Sequence, residues 1–167
     1  MTGLFVPPFG GSIAQVAIVV HDLDAALDRW ATLLPTRRWR LWTFTAAQHD
    51  EALYHGRPTA FRALLALDDG SPQLELIQPL EGESIHREWL EARGEGFHHV
   101  GVIVDSVART TELMDEAGFA VLQSGTGFGT DGGGAYAYYD TVAALGMMVE
   151  ALEPAPLGQP EKVRNVD

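Results

Sequence analysis

Residues 13–23 (IAQVAIVVHDL) superimpose on residues 97–107 (FHHVGVIVDSV) when moved forward by 84 positions, and this internal repeat limits the possible folds more than any other feature. Ile13 falls on Phe97, Val16 on Val100, Ile18 on Val102 and Val20 on Val104, while polar Gln15 falls on His99. Each β-branched run leads into a helical pattern. Asp22 before LDAALDRWATLL and Ser106 before VARTTELMDEA are N-cap residues, and Gly118 closes the second helix. Leu23, Ala26, Leu27, Trp30 and Leu34 recur at helical spacing, so the first helix buries one face.

The two halves also end alike. LELIQP (74–79) matches VEALEP (149–154), placing Glu75 on Glu150. Between helix and closing strand, RWRLWTFT (38–45), TAFRALLAL (59–67), FAVLQS (119–124) and AYAYYD (135–140) are further strands by composition and by their flanking turn residues. The expectation is an α+β fold, a single domain over 1–167 made of two βαβββ modules, 13–80 and 97–155, that share a curved-sheet cleft. A short connecting helix is expected within 81–96, over SIHREWLEAR (84–93), with Gly94 as its C-terminal glycine. The polar, proline-rich 156–167 reads as an arm or frayed end. AAQHDEALYHGRP (46–58) receives no element, and SGTGFGTDGGGA (124–135) reads as a flexible hairpin loop able to fold over a substrate, because no helix follows to hold phosphate.

Composition narrows the chemistry. The chain has no cysteine, so disulfides, thiolate nucleophiles and zinc fingers are excluded, and a metal must be held by His, carboxylate, amide or water. The formal charge of −12 and the single lysine, Lys162, argue against nucleic acid. No apolar run approaches a membrane span, and the N-terminus lacks a basic region followed by an apolar stretch, so a cytoplasmic protein is expected. Arg37, Arg38, Arg40, Arg57 and Arg62 fall close together and are a candidate anion-binding wall, although each is more simply read as paired with surface carboxylates.

Strand alternation sends Gln15, Glu75, His99 and Glu150 to one face, each flanked by apolar residues pointing the other way. His98 is sent by the same rule to the opposite face, as a hydrogen-bonded structural residue. His49, His55 and His86 lack partners at ligand spacing, so no direct role is expected of them. Two buried carboxylates without a cation are costly to ionise, and a divalent ion removes the conflict. Three oxygen ligands and one imidazole suit Zn, Ni, Co, Mn or Fe(II).

The spans IAQVAIVVHDLDAAL, PLEGESIHREWLEARGEGFHHVGVIVDSV and GMMVEALEP resemble the glyoxalase and methylmalonyl-CoA epimerase branch of the vicinal oxygen chelate superfamily, over about 13–155. The resemblance places metal ligands at Gln15, Glu75, His99 and Glu150. The epimerases carry His and Gln at the first two of these positions; the Gln, Glu, His, Glu order here is similar to the human type of glyoxalase I. Glu51 is the nearest residue by region to the epimerases' second, non-ligand glutamate, without a convincing alignment. The resemblance implies a metal-dependent isomerase, epimerase or lyase acting on a small carbonyl compound, an acyl-CoA or thiol adduct among them. Glu150 is the first-choice base and Glu75 the second, and a homodimer is expected. Two other readings are weighed. A ring-cleaving dioxygenase would need two histidines where this set has one. A non-catalytic, antibiotic-type binder would use aromatic residues such as Trp39, Trp42, Phe44, Phe61, Phe128, Tyr136 and Tyr138 to line the cleft.

Overall fold

The computed structural model describes residues 8–34 and 38–165. The first half holds β1 (Ile13–Val19), α1 (Leu23–Leu33), β2 (Arg38–Thr45), β3 (Glu51–Tyr54), β4 (Arg57–Pro58), β5 (Arg62–Asp68) and β6 (Gln73–Glu81). After the connecting helix α2 (Ile85–Arg93) come β7 (Gly96–Ile103), α3 (Val107–Glu116), β8 (Val121–Phe128), β9 (Gly134–Tyr139), α4 (Val142–Leu145), β10 (Met148–Glu153) and β11 (Lys162–Asn165). The two expected N-caps form, and Ser84 supplies one more. Asp22 accepts from the Ala25 amide at 2.9 Å, Ser84 from Arg87 at 3.2 Å and Ser106 from Arg109 at 3.1 Å. Gly94 and Gly118 take positive φ, which suits glycine at helix ends.

The described strands form one sheet in the order β11-β2-β5-β6-β1-β7-β10-β9-β8-β3-β4. Its centre is the antiparallel pair β1–β7, the two halves of the sequence repeat. On either side lies a parallel partner, β6 beside β1 and β10 beside β7. One face carries α1 and α3. Under α1, Val20, Leu23, Leu27, Trp39, Ala66 and Leu76 pack together, and under α3, Val107, Met114, Ala137, Tyr139 and Ala151 do the same. These residues are the apolar alternates of the polar positions, so the side opposite α1 and α3 is left to line a cleft.

Two segments depart from the sequence reading, and both cross between modules. Within 46–58, β3 and β4 form a hairpin that turns at His55 and Gly56 and adds to the edge of β8, with Glu51 opposite Thr126 and Tyr54 opposite Gln123. The expected frayed tail instead runs back to β2, where β11 pairs with Leu41 opposite Lys162 and Arg38 opposite Asn165. Glu161 anchors this return, accepting from the Thr43 amide at 3.0 Å and its hydroxyl at 2.9 Å. Each module thus lends backbone hydrogen bonds to the other's edge, the place where unpaired strands need cover. The glycine-rich 124–135 is also more ordered than a loop. It is strand as far as Phe128, with a bulge at Gly127, and Thr130 donates to the tail carbonyl of Pro156 at 2.8 Å. No helix among the described residues is long and apolar enough to cross a membrane.

Candidate functional site

The four polar residues singled out by the repeat sit on the four central strands β6, β1, β7 and β10, in two adjacent rows. One row runs Glu75, Ala17, His99; the next runs Gln73, Gln15, Gly101, Glu150. Residues in register share a face, so the set converges on the cleft. His99 Nε2 lies 3.4 Å from Glu75 Oε2 and 3.3 Å from Glu150 Oε2, with His99 fully buried and both carboxylates nearly so. Gln15 completes the group. Its Oε1 would stand 2.9 Å, and Glu150 Oε2 3.1 Å, from a Cβ added at Gly101. Glycine there leaves a hollow between the amide and the carboxylate that any side chain would fill.

The amide of Gln15 is held one way round. Gln73 Nε2 donates to the Asp68 carbonyl at 3.0 Å, so Gln73 Oε1 is turned to accept from Gln15 Nε2 at 2.8 Å. Gln15 therefore presents its oxygen, a potential ligand, on the side of Glu150.

His98 is where strand alternation misleads. Ala17 pairs with His99 and Ile18 with Phe97, so His98 is the extra residue of a β-bulge, which re-aims its side chain. Its Nδ1 lies 2.9 Å from His99 Nδ1. Burial holds the His98 imidazole far below its ordinary range, helped by the neighbouring His86 and His99. Burial also opposes charge on His99, but the carboxylates of Glu150 and Glu75 outweigh it and raise His99 to about 9. His99 Nδ1–H thus donates to neutral His98, which leaves Nε2 aimed at the two carboxylates. His86, given no role by the sequence, sits on α2 with its ring 4.9 Å from that of His98, and burial takes it down to about 3. The ring nitrogens of His86, His98 and His99 lie within 4.8 Å of one another. Only the packing of α2 onto the central strands brings His86 there, and no spacing in the sequence announces it.

Glu75 is raised by burial and by Glu150, against the pull of His99. A measurable consequence follows for the chain without a bound ion. A histidine at 6.5 when unfolded and about 9 when folded contributes stability that is complete below pH 6.5 and lost as pH rises through 9. Chelator-treated protein is therefore expected to melt at a lower temperature at pH 9 than at pH 6.5. Glu75, also raised, acts in the same sense. In His99→Gln the histidine's share of the trend should vanish and leave only that of Glu75, and a flat melting temperature for the unsubstituted protein would show that the charged triad does not form.

The cleft above these residues is a cavity of about 190 Å³. Phe44, Phe61, Phe128, Tyr136 and Tyr138 line it, as expected, together with Leu65, Ile77 and Leu157. Trp39 does not; it is fully buried under α1. Of the arginines, Arg40 pairs with Asp69 at 2.8 Å and Arg62 with Glu81 at 2.8 Å. Arg38 and Arg57 are exposed, and Arg37 lies outside the described residues. None of the four described arginines lines the cavity, nor does the exposed Glu51. His49 and His55 also lie outside the lining. His49 packs among Phe44, Phe61, Phe128 and Tyr136, while His55 contacts Glu88 at 3.2 Å.

A comparison with curated protein sequences gives no match. Among solved structures, the methylmalonyl-CoA epimerase of Mycobacterium tuberculosis aligns at a TM-score of 0.61 and 22% identity, covering 93% of this chain and 95% of that one. A Streptomyces coelicolor methylmalonyl-CoA epimerase variant in complex with 2-nitronate-propionyl-CoA aligns at 0.62 and 19%, covering 87% and 97%. A hypothetical protein from Bacillus halodurans C-125 aligns at 0.57 and 19%, covering 92% and 99%. At these identities the likeness is one of fold. Residues 14–139 match the family described as the Glyoxalase/Bleomycin resistance protein/Dioxygenase superfamily. With paired modules, a shared cleft and most of its length inside that match, the chain belongs to the glyoxalase/bleomycin resistance protein/dioxygenase superfamily.

Proposed function

We propose that this chain is a divalent-metal-dependent isomerase or epimerase of a small carbonyl compound, with Gln15, Glu75, His99 and Glu150 as the residues that would hold the ion. The observation that carries the reading is a set of four donors converging on a buried cavity with unmet bonding capacity. His99 Nε2 and Glu150 Oε2 are buried without a well-directed hydrogen-bond partner. Next to them, Gly101 leaves space where a Cβ would collide. Oxygen and imidazole donors of this kind suit Zn, Ni, Co, Mn or Fe(II). When bound, such an ion is a Lewis acid that polarises a carbonyl oxygen and so acidifies the neighbouring C–H.

The chain's own residues handle the proton. Glu150 lines the cavity with Oε2 free to accept, so it removes the proton from the carbon beside the carbonyl. Glu75, on the other side of His99, is placed to return one, to the opposite face or to the adjacent carbon. His98 keeps the His99 ring oriented, and Gln73 keeps the Gln15 oxygen forward. The apolar walls exclude water from a reacting carbanion.

Protein purified without chelator is expected to carry about one divalent ion per chain, and its removal to abolish turnover. Undiminished activity after verified removal would sink the mechanism. Gln73→Leu frees the Gln15 amide to turn its NH2 inward and should lower metal affinity about 10–100-fold, the scale of outer-sphere changes. In a Gln15→Glu background the same substitution should have no effect, because a carboxylate has no wrong way round. An equal loss in both backgrounds would mean that Gln73 acts through packing alone.

The apolar lining also supports a second reading, a binder without turnover. Equal ligand affinity with and without metal, and no chemical change in the ligand, would select it.

A further inference from the structure

We infer that the cleft takes an uncharged ketone with an apolar, ring-sized body and an adjacent oxygen, and rejects CoA thioesters and other polyanions. This deepens the proposed function and rests on it for the reaction, though the recognition chemistry below does not require the ion.

The cavity has two unlike ends. At one, Glu75 and Glu150 are the only formal charges on the described lining, and no lysine or arginine joins them. A substrate bearing phosphates or a free carboxylate would enter beside two carboxylates whose one facing cation, His99, is already paired with both, in a chain of net charge −12. At the other end the surfaces are aromatic and aliphatic. Phe44 sits 6.0 Å from Phe61 and 5.8 Å from Phe128, and Phe128 lies 5.9 Å from Tyr136, ring centre to ring centre. Leu157 closes this wall from the tail that returns to β2.

One polar group on this wall has a proton to give. Tyr136 is 4% exposed, and its buried hydroxyl has the Gln123 amide beside it but nothing well placed to accept its O–H. It lies on β9 one strand over from Glu150, two residues from Tyr138, which pairs with Glu150. A buried hydroxyl left unmatched costs stability, and a ligand oxygen would satisfy it. A molecule with two neighbouring oxygens can thus turn one toward the carboxylate end and one toward Tyr136 while its body fills the apolar end. Burial pushes Tyr136 above its ordinary range, so it remains a donor at any physiological pH. At about 190 Å³ the cavity falls below the ≈ 300–1,000 Å³ usual for drug-sized ligands, which favours a small body.

The test is calorimetric titration of the full chain, zinc-loaded and metal-free, with 2-hydroxyacetophenone and benzoin as uncharged probes and methylmalonyl-CoA as the polyanion. Saturable binding of at least one ketone is expected, tighter than that of methylmalonyl-CoA. Tyr136→Phe should weaken the ketone by about tenfold, the equivalent of one hydrogen bond, without changing metal content. Leu157→Trp, on the tail outside the sheet, should block the ketone and provides a second readout if the tyrosine variant misfolds. Tighter binding of methylmalonyl-CoA, no saturable binding of either ketone, or ketone binding untouched in a folded Leu157→Trp protein would each overturn the inference. Metal content is measured on the same samples. Ketone binding by a chain that takes up no ion would leave this inference standing and sink the metal reading, and uptake of an ion with no ketone binding would do the reverse.

Discussion

His99→Ala is expected to lower metal affinity by more than the about 10–100-fold seen for outer-sphere changes, and to destabilise the metal-free fold by about 3–5 kcal/mol. Both effects have one origin. His99 is the single cationic group between Glu75 and Glu150, within 3.4 Å of each, and all three are buried. Without it, two buried carboxylates face each other with no counter-charge between them. The variant should therefore regain stability as pH falls and Glu75 takes up a proton. Chelator competition and urea unfolding at two pH values measure the two effects separately. An unchanged affinity in a folded His99→Ala protein would remove this histidine, and with it the proposed centre.

Gly101→Val is expected to lower metal affinity by about 100-fold or more, beyond what loss of an outer-sphere contact produces, and to cost the metal-free fold about 1–3 kcal/mol by overpacking. Valine suits the strand, and the backbone of Gly101 asks for nothing unusual. Its side chain, however, would project between Gln15 Oε1 and Glu150 Oε2, where even a Cβ stands at 2.9 and 3.1 Å. Ala17 is its counterpart in the other module, lying between Glu75 and His99, and Ala17→Gly is the matching control that should leave binding intact. A Gly101→Val protein with full affinity would place the ion away from the two central rows.

Much of this was legible in the sequence because it follows from local rules. The 84-residue offset placed Gln15 against His99, the matching closing strands placed Glu75 against Glu150, and period-two alternation put all four on the cleft face, where the structure has them. The helix caps at Asp22 and Ser106 were also local signals. What escaped depended on distant partners. The β3–β4 hairpin is short and polar, and its strand character comes from β8, which belongs to the other module. The tail becomes a strand only because β2 offers an edge. His98 was assigned to the wrong face because alternation fails at a bulge, and a bulge shows only in the register of two strands. Gly101 and Ala17 drew no attention, since their contribution is the absence of bulk.

The exchange of edge strands between the modules bears on how the chain reaches this state. β2 is flanked on one side by β5, nearby in sequence, and on the other by β11, which follows the whole second module. Until that late strand docks, β2 presents a bare edge rich in aromatic and aliphatic residues, RWRLWTFT. Such an edge is a template for pairing between chains. Refolding should therefore be slow, as sheets built from distant contacts are, and its yield should fall as protein concentration rises. A peptide carrying the residues of β11, added early, would compete for that edge and spare the chain from aggregation.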